Sequence, residues 1–138
     1  MRLFLDANVL FTAVHNPRGK AAFVVELGQA GLWQLATSAY ALEEARRNLA
    51  LKFPAGAARL EDMRPSLRLA SDAADIDCPA GLPAKDCPIF RAARACRADV
   101  LLTGDIRDFG FLMNARDKAG GLLIQTVADF LKTVQAGG

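Results

Sequence analysis

Asp6 closes the apolar run Leu3-Phe4-Leu5, and Asp105 closes a second run, Val100-Leu101-Leu102-Thr103-Gly104. Buried strands that end in carboxylates carry them to the rim of a parallel sheet, where α/β proteins bind their ligands. Two further acids lie beside helix signals: Glu44 in Glu43-Glu44-Ala45-Arg46-Arg47, and Asp86 just before Cys87-Pro88. Carboxylates gathered in one crevice repel one another unless a hard cation joins them, and all-oxygen ligands suit Mg²⁺ or Mn²⁺. Such an ion lowers the pKa of a bound water and neutralises charge on a phosphate under attack, which is the chemistry of phosphodiester hydrolysis. One ion suffices for this, and two about 4 Å apart would divide the tasks.

Each acid also has an ordinary explanation. Asp6 can accept backbone N–H groups in the turn Asp6-Ala7-Asn8, and Asp86 can cap a helix with Pro88 in its first turn. Asp105 can form an Asx turn, and Asp108 can cap a short helix beginning at Phe109. Glu44 can pair with arginines one turn away, the commoner use of such a residue on a solvated face. At helical spacing Leu42, Ala45 and Leu49 form the core stripe, and Glu44 shares another stripe with Tyr40, Asn48 and Leu51, while Glu43 sits by Arg47. This favours Glu44 as the inward acid, with a one-residue slip to Glu43 still open. What argues for a shared site is the joint placement: Asp6 and Asp105 end strands, and Glu44 and Asp86 lie on or before helices leaving the same edge.

The elements that must position these residues alternate strand with helix, the pattern of an α/β fold whose parallel sheet is covered on both faces. Strands are expected at Arg2 to Asp6, Trp33 to Ala36, Leu67 to Ala70, Asp99 to Thr103 and Leu122 to Gln125. Helices are expected from about Lys20 to Ala30, from a Thr37 or Ser38 cap to about Lys52, over 55–65, from Cys87 to Arg97, and from Val127 to Val134. Residues 71–84 and 104–121 read as loop and irregular chain.

A length of 138 residues, 52% of them hydrophobic, suits one well-cored domain over residues 1–138. No stretch approaches the roughly 20 apolar residues of a membrane span, and Met1-Arg2 leads into a strand rather than a secretory leader. A cytoplasmic protein without membrane contact is therefore expected. Cys78, Cys87 and Cys96 are odd in number and form neither a disulfide framework nor, with the lone His15, a zinc motif, so reduced and mostly buried thiols are expected. The net charge of +2 permits an anionic partner without demanding one. Arg46, Arg47, Lys85 and Arg107, with Arg18 and Lys20, flank the acids and are candidate phosphate contacts. Arg91, Arg94 and Arg97 form a further basic row, for which a solvated face is the simpler reading. Phe109 and Phe111 could stack on a base, although core packing is the commoner role.

In order and spacing, the acidic motifs resemble those of the PIN-domain ribonucleases. Leu3-Phe4-Leu5-Asp6-Ala7-Asn8-Val9-Leu10 is similar to the family's first strand and leading acid. Ser38 to Leu49 resembles its second motif, Lys85-Asp86-Cys87-Pro88-Ile89 its third, and Leu101 to Phe109 its fourth. The resemblance spans essentially the whole chain. It implies a three-layer α/β/α sandwich with a five-stranded parallel sheet in the order 3-2-1-4-5, an Mg²⁺ or Mn²⁺ site, and cleavage of RNA. Asp6, Glu44, Asp86 and Asp105 carry over as the acidic tetrad, with Asn8 and Thr103 as polar supports. Asp108 would be an additional ligand, a holder of water or a cap. Small members of the VapC type are toxins held inactive by a small antitoxin inserted into the cleft, so the resemblance also implies a candidate antitoxin partner and a homodimer.

Two rival readings remain. An aspartyl-nucleophile phosphatase would want a second acid two residues after Asp6, where this chain has Asn8. A non-catalytic PIN-like module that binds RNA or a partner would have no need of all four acids.

Overall fold

In the computed structural model, which describes residues 1–137, the first apolar run forms strand β1 (Arg2–Leu5), with Leu3, Phe4 and Leu5 fully buried. A strand apolar at successive positions must be covered on both faces and so belongs in the middle of a sheet. β1 pairs in parallel with β2 (Gln34–Ser38) on one side and with β4 (Val100–Leu102) on the other. Outside these lie β3 (Leu67–Ala70), against β2, and β5 (Leu123–Gln125), against β4. The order β3-β2-β1-β4-β5, parallel throughout, is the one implied by the resemblance. Strand order reverses between β1 and β4, so the crevice predicted for such a sheet opens beside their carboxyl ends.

Seven helices among the described residues flank the sheet: α1 (Ala7–His15), α2 (Lys20–Gln29), α3 (Ala39–Lys52), α4 (Ala57–Met63), α5 (Cys87–Ala95), α6 (Ile106–Phe109) and α7 (Val127–Gly137). None is long and apolar enough to cross a membrane. Ser38 caps α3, its hydroxyl accepting the Ala41 N–H at 3.1 Å. Pro54 and Pro65, lacking the N–H that a helix interior needs, bound α4 with 3₁₀ turns at Pro54–Gly56 and Arg64–Ser66. The helix expected through Arg97 ends at Ala95, and Arg97 takes a left-handed conformation (φ 58°) that turns the chain toward β4. Phe109 is fully buried in the core, whereas Phe111 is about half exposed.

Beside the short helix α6, which stands in a stretch expected to be irregular, two larger features differ from expectation. Helix α1 occupies a stretch for which the sequence pattern predicts no helix. Val9, Thr12 and Val14 are β-branched and weak helix formers, but Asp6 caps the helix, and Ala7, Val9, Leu10, Ala13 and Val14 are buried along it. Burial of that face outweighs the propensity deficit.

The second correction concerns the cysteines. Cys78 and Cys87 are joined in a disulfide, with Cα atoms 5.6 Å apart, and only Cys96 is a free, buried thiol. The loop after β3 folds back across the start of α5, and this brings together two residues whose spacing signals no framework. Arg91 ties the same loop down with bonds of 2.7 and 3.0 Å to the Asp72 carboxylate.

Candidate functional site

β1 and β4 set the geometry of the site. Asp6 follows the last residue of β1, and its N–H bonds the Leu102 carbonyl at 3.0 Å, extending the ladder by one step. The Asp6 side chain is buried and fully engaged. Its Oδ1 accepts the Ala7 N–H at 2.7 Å, and its Oδ2 accepts the Thr103 hydroxyl at 2.8 Å and the Asn8 amide at 3.2 Å. Burial is the main reason its pKa is raised, with the negative charges of Glu44 and Asp105 adding to the effect. An acid held in this way is poorly placed as a covalent nucleophile, which counts against the phosphatase reading.

Thr103 and Asn8 form the bridge between the two strand ends. Thr103 Oγ1 donates to Asp6 and accepts the Asp105 N–H at 3.1 Å, while Asn8 Oδ1 accepts the Gly104 N–H at 2.6 Å. Asp105 in turn caps α6, its Oδ1 accepting the Asp108 N–H at 3.1 Å. The capping role considered for Asp108 thus falls to Asp105, which leaves the Asp108 carboxylate free to face inward.

Asp86, Asp105 and Asp108 each offer an oxygen within 4.8 Å of the others. Asp86 sits at the N-cap position of α5 but makes no capping bond, and its Oδ2 is buried without a hydrogen-bond partner. An orphaned carboxylate oxygen costs free energy unless something positive completes it. Burial, then the neighbouring Asp108, pushes the Asp86 pKa up to about 7. Lys85 supplies the nearest positive charge: its Nζ lies 2.8 Å from Asp108 Oδ2 and 3.8 Å from Asp86 Oδ2. This ammonium holds the Asp108 carboxyl below its usual range and is itself raised. The donor set is all carboxylate, closely spaced and short of positive charge, and so fits a hard divalent cation.

Glu44 is half-buried and close enough to Asp6 to raise its pKa, whereas Glu43 is exposed and pairs with Arg46 at 3.8 Å. Tyr40, one turn before Glu44, donates its hydroxyl to the Lys85 carbonyl at 2.8 Å and so links α3 to the segment carrying Asp86. Of the candidate cations, Lys85 reaches the acids and Lys20 lines the adjoining cleft. Arg46 is turned to Glu61 at 3.0 Å, Arg91 to Asp72, and Arg94 lies over the Phe90 ring. Arg47 and Arg107 are exposed. The cleft, of about 810 Å³, runs from Asn8, Gly104 and Asp105 past Thr12 to Lys20 and the start of α7 at Val127. Nothing in the sequence pattern marked Tyr40 as an anchor or Val127 as a cleft residue, since both depend on contacts distant in the chain.

A model of the PIN domain matches residues 2–107, a span that includes Asp6, Glu44, Asp86 and Asp105. The chain belongs to the PIN-domain family. Two solved structures share this PIN fold. VapBC2 from Rickettsia felis, bound to a DNA fragment from its promoter, is 17% identical with a TM-score of 0.63, over 91% of this chain and 98% of that one. VapBC-1 from nontypeable Haemophilus influenzae is 15% identical with a TM-score of 0.61, over 93% and 99%. At these identities the likeness bears on the fold alone. No curated protein sequence matches this chain. The PIN match stops one residue short of Asp108, so the place of that acid in the cluster rests on the geometry alone.

Proposed function

We propose that this PIN domain is a single-unit, divalent-metal-dependent endoribonuclease acting in the cytoplasm. The observation that carries the reading is the convergence of Asp86, Asp105 and Asp108, with a buried unpartnered oxygen on Asp86, at the switch point of the sheet. Asp86, Asp105 and Asp108 would hold Mg²⁺ or Mn²⁺ directly, and Asp6 and Glu44 would act through water. When bound, the cation supplies an acidified water and neutralises charge on the phosphate. Thr103 and Asn8 keep Asp6 and the Asp105 backbone in register. The RNA backbone would lie along the cleft past Lys20, with Lys85 near the scissile phosphate and Arg47 and Arg107 as outer contacts.

The VapBC neighbours motivate a narrower form of the same proposal: the chain is the toxin of a toxin-antitoxin pair, forms a homodimer, and is silenced by a small partner protein. The deciding experiment is cleavage of labelled single-stranded and hairpin RNAs with Mg²⁺, Mn²⁺ or EDTA, with Asp6→Asn and Asp105→Asn proteins in parallel. Metal-dependent cuts lost in both variants are expected. Cuts that persist in EDTA or in the variants, or a protein that binds no Mn²⁺, would overturn the reading.

A further inference from the structure

We propose that the Cys78–Cys87 disulfide is a redox-sensitive clamp on the acidic site, holding Asp86 in its working position when oxidised and releasing it when reduced. The inference rests on the reading of Asp86 as a metal ligand and adds regulation to it.

The connection from β3 to α5 spans residues 71–86, and its only regular element among the described residues is the 3₁₀ turn Ala84–Asp86. Asp86 is the last residue of that turn, and Cys87 is the next. The Asp86 side chain is weakly held, because it makes no cap bond and its Oδ2, 3.8 Å from the Lys85 ammonium, has no hydrogen-bond partner. Its position therefore depends on the backbone around it. Four ties fix that backbone: the Tyr40 hydroxyl on the Lys85 carbonyl, the Lys85–Asp108 ion pair, the Arg91–Asp72 pair at the far end of the loop, and the Cys78–Cys87 bridge. The bridge is the only covalent one of the four. It closes a loop over a separation of nine residues, within which Leu82 is buried and Gly81, in a left-handed conformation (φ 94°), faces the Phe111 ring. The covalent ring adds to the local turns within it, where the Leu82 N–H bonds the Pro79 carbonyl at 3.2 Å and the Asp86 N–H the Pro83 carbonyl at 2.9 Å.

The chemistry needs only a dithiol reductant. One thiolate of the reductant attacks a bridge sulfur, the S–S bond breaks, and the other sulfur leaves as a thiolate that takes up a proton. The second thiol of the reductant then displaces the protein thiol from the mixed disulfide, so two electrons pass to the protein and the reductant becomes a disulfide. Both bridge residues are half-buried and pack against the core. In reducing compartments a bridge of this kind typically forms and breaks as a sensor rather than standing as a permanent staple. Cys96, buried and unbridged, takes no part.

The test compares the oxidised protein with protein reduced by a phosphine, reading Mn²⁺ binding by calorimetry and amide hydrogen exchange over residues 71–95. The expected result is Mn²⁺ binding about fivefold or more weaker after reduction, with loss of exchange protection confined to the loop and the first turn of α5. Cys78→Ser, which leaves Cys87 in place, should match the reduced protein under both conditions, and Cys96→Ser should respond to reduction as the parent does. Equal Mn²⁺ affinity in the two redox states overturns the clamp while leaving the metal site standing. Absence of Mn²⁺ binding in both states overturns the metal-site reading and the clamp with it.

Discussion

The ammonium of Lys85 lies 2.8 Å from Asp108 and 3.8 Å from Asp86, so a cation belonging to the chain neutralises part of the same cluster that would hold a divalent ion. An ion entering between these carboxylates must compete with it. The Lys85 side chain is two-thirds exposed, so water screens the pair and keeps it weak. Lys85→Met, similar in length and uncharged, should therefore bind Mn²⁺ roughly two- to fivefold more tightly in calorimetry at moderate salt. Weaker binding would mean that the lysine organises the site instead of competing for it.

Proton competition sets a second dependence. With the Asp86 pKa raised to about 7, a cation must displace a proton below that pH. Mn²⁺ affinity should rise as pH climbs from 5.5 toward 7 and level off above it. Stability without added metal should run the other way. Between about pH 4 and 7 the folded form keeps a proton that the unfolded chain has lost, so folding stability falls as pH rises through this window. Asp6, also raised, pulls in the same direction, whereas the lowered Asp108 loses its contribution only as pH falls below the ordinary carboxylate range, outside this window. Asp86→Asn should flatten both trends, which thermal melts and Mn²⁺ titrations across pH would establish. A melting temperature with unchanged pH dependence in Asp86→Asn would show that the shift belongs elsewhere.

Thr103 is the joint between the strand ends, donating to Asp6 and accepting from the Asp105 N–H. Thr103→Val keeps the shape and removes these two bonds along with the one the hydroxyl accepts from the Asn8 amide at 3.3 Å, leaving a buried carboxylate one donor short and a backbone N–H unpaired. A loss of about 1–3 kcal/mol of stability is expected from urea unfolding. Cleavage by the protein that remains folded should fall by at least tenfold, since Asp6 and Asp105 would no longer be held to each other. Full activity alongside lower stability would limit Thr103 to a structural role.

The central strands β1 and β4 were legible because their apolar runs are short, uninterrupted and bounded by turn residues, and Asp6 and Asp105 stood out as candidates because they follow those runs. Helix α1 was not, because Val9, Thr12 and Val14 speak for strand locally and only burial of the face carrying Leu10 makes the helix. The cysteine bridge was equally hidden, since a separation of nine positions without a framework says nothing about a loop that folds back. Asp108 presented three roles in the sequence. Its inward placement follows from Asp105 taking the capping bond, a choice between two acids three residues apart that only the local backbone decides.

The choice between Glu43 and Glu44 leads to the sharpest mutational contrast. The neighbours are identical in chemistry and differ only in direction: Glu44 bears on Asp6, and Glu43 is exposed beside Arg46. Removing the Glu44 charge relieves repulsion on Asp6, so Glu44→Gln should lower the Asp6 pKa while impairing metal-dependent cleavage by roughly tenfold or more. Glu43→Gln should leave both within about twofold, because an exposed pair with Arg46 contributes little. Carboxyl carbon NMR titration of Asp6 in the two variants, beside cleavage rates on one RNA, reads both effects. Equal behaviour of the two variants would mean that neither glutamate faces the cleft in solution. Impairment in Glu43→Gln alone would place α3 one residue out of the register seen here and put Arg47, in place of Arg46, beside the exposed acid.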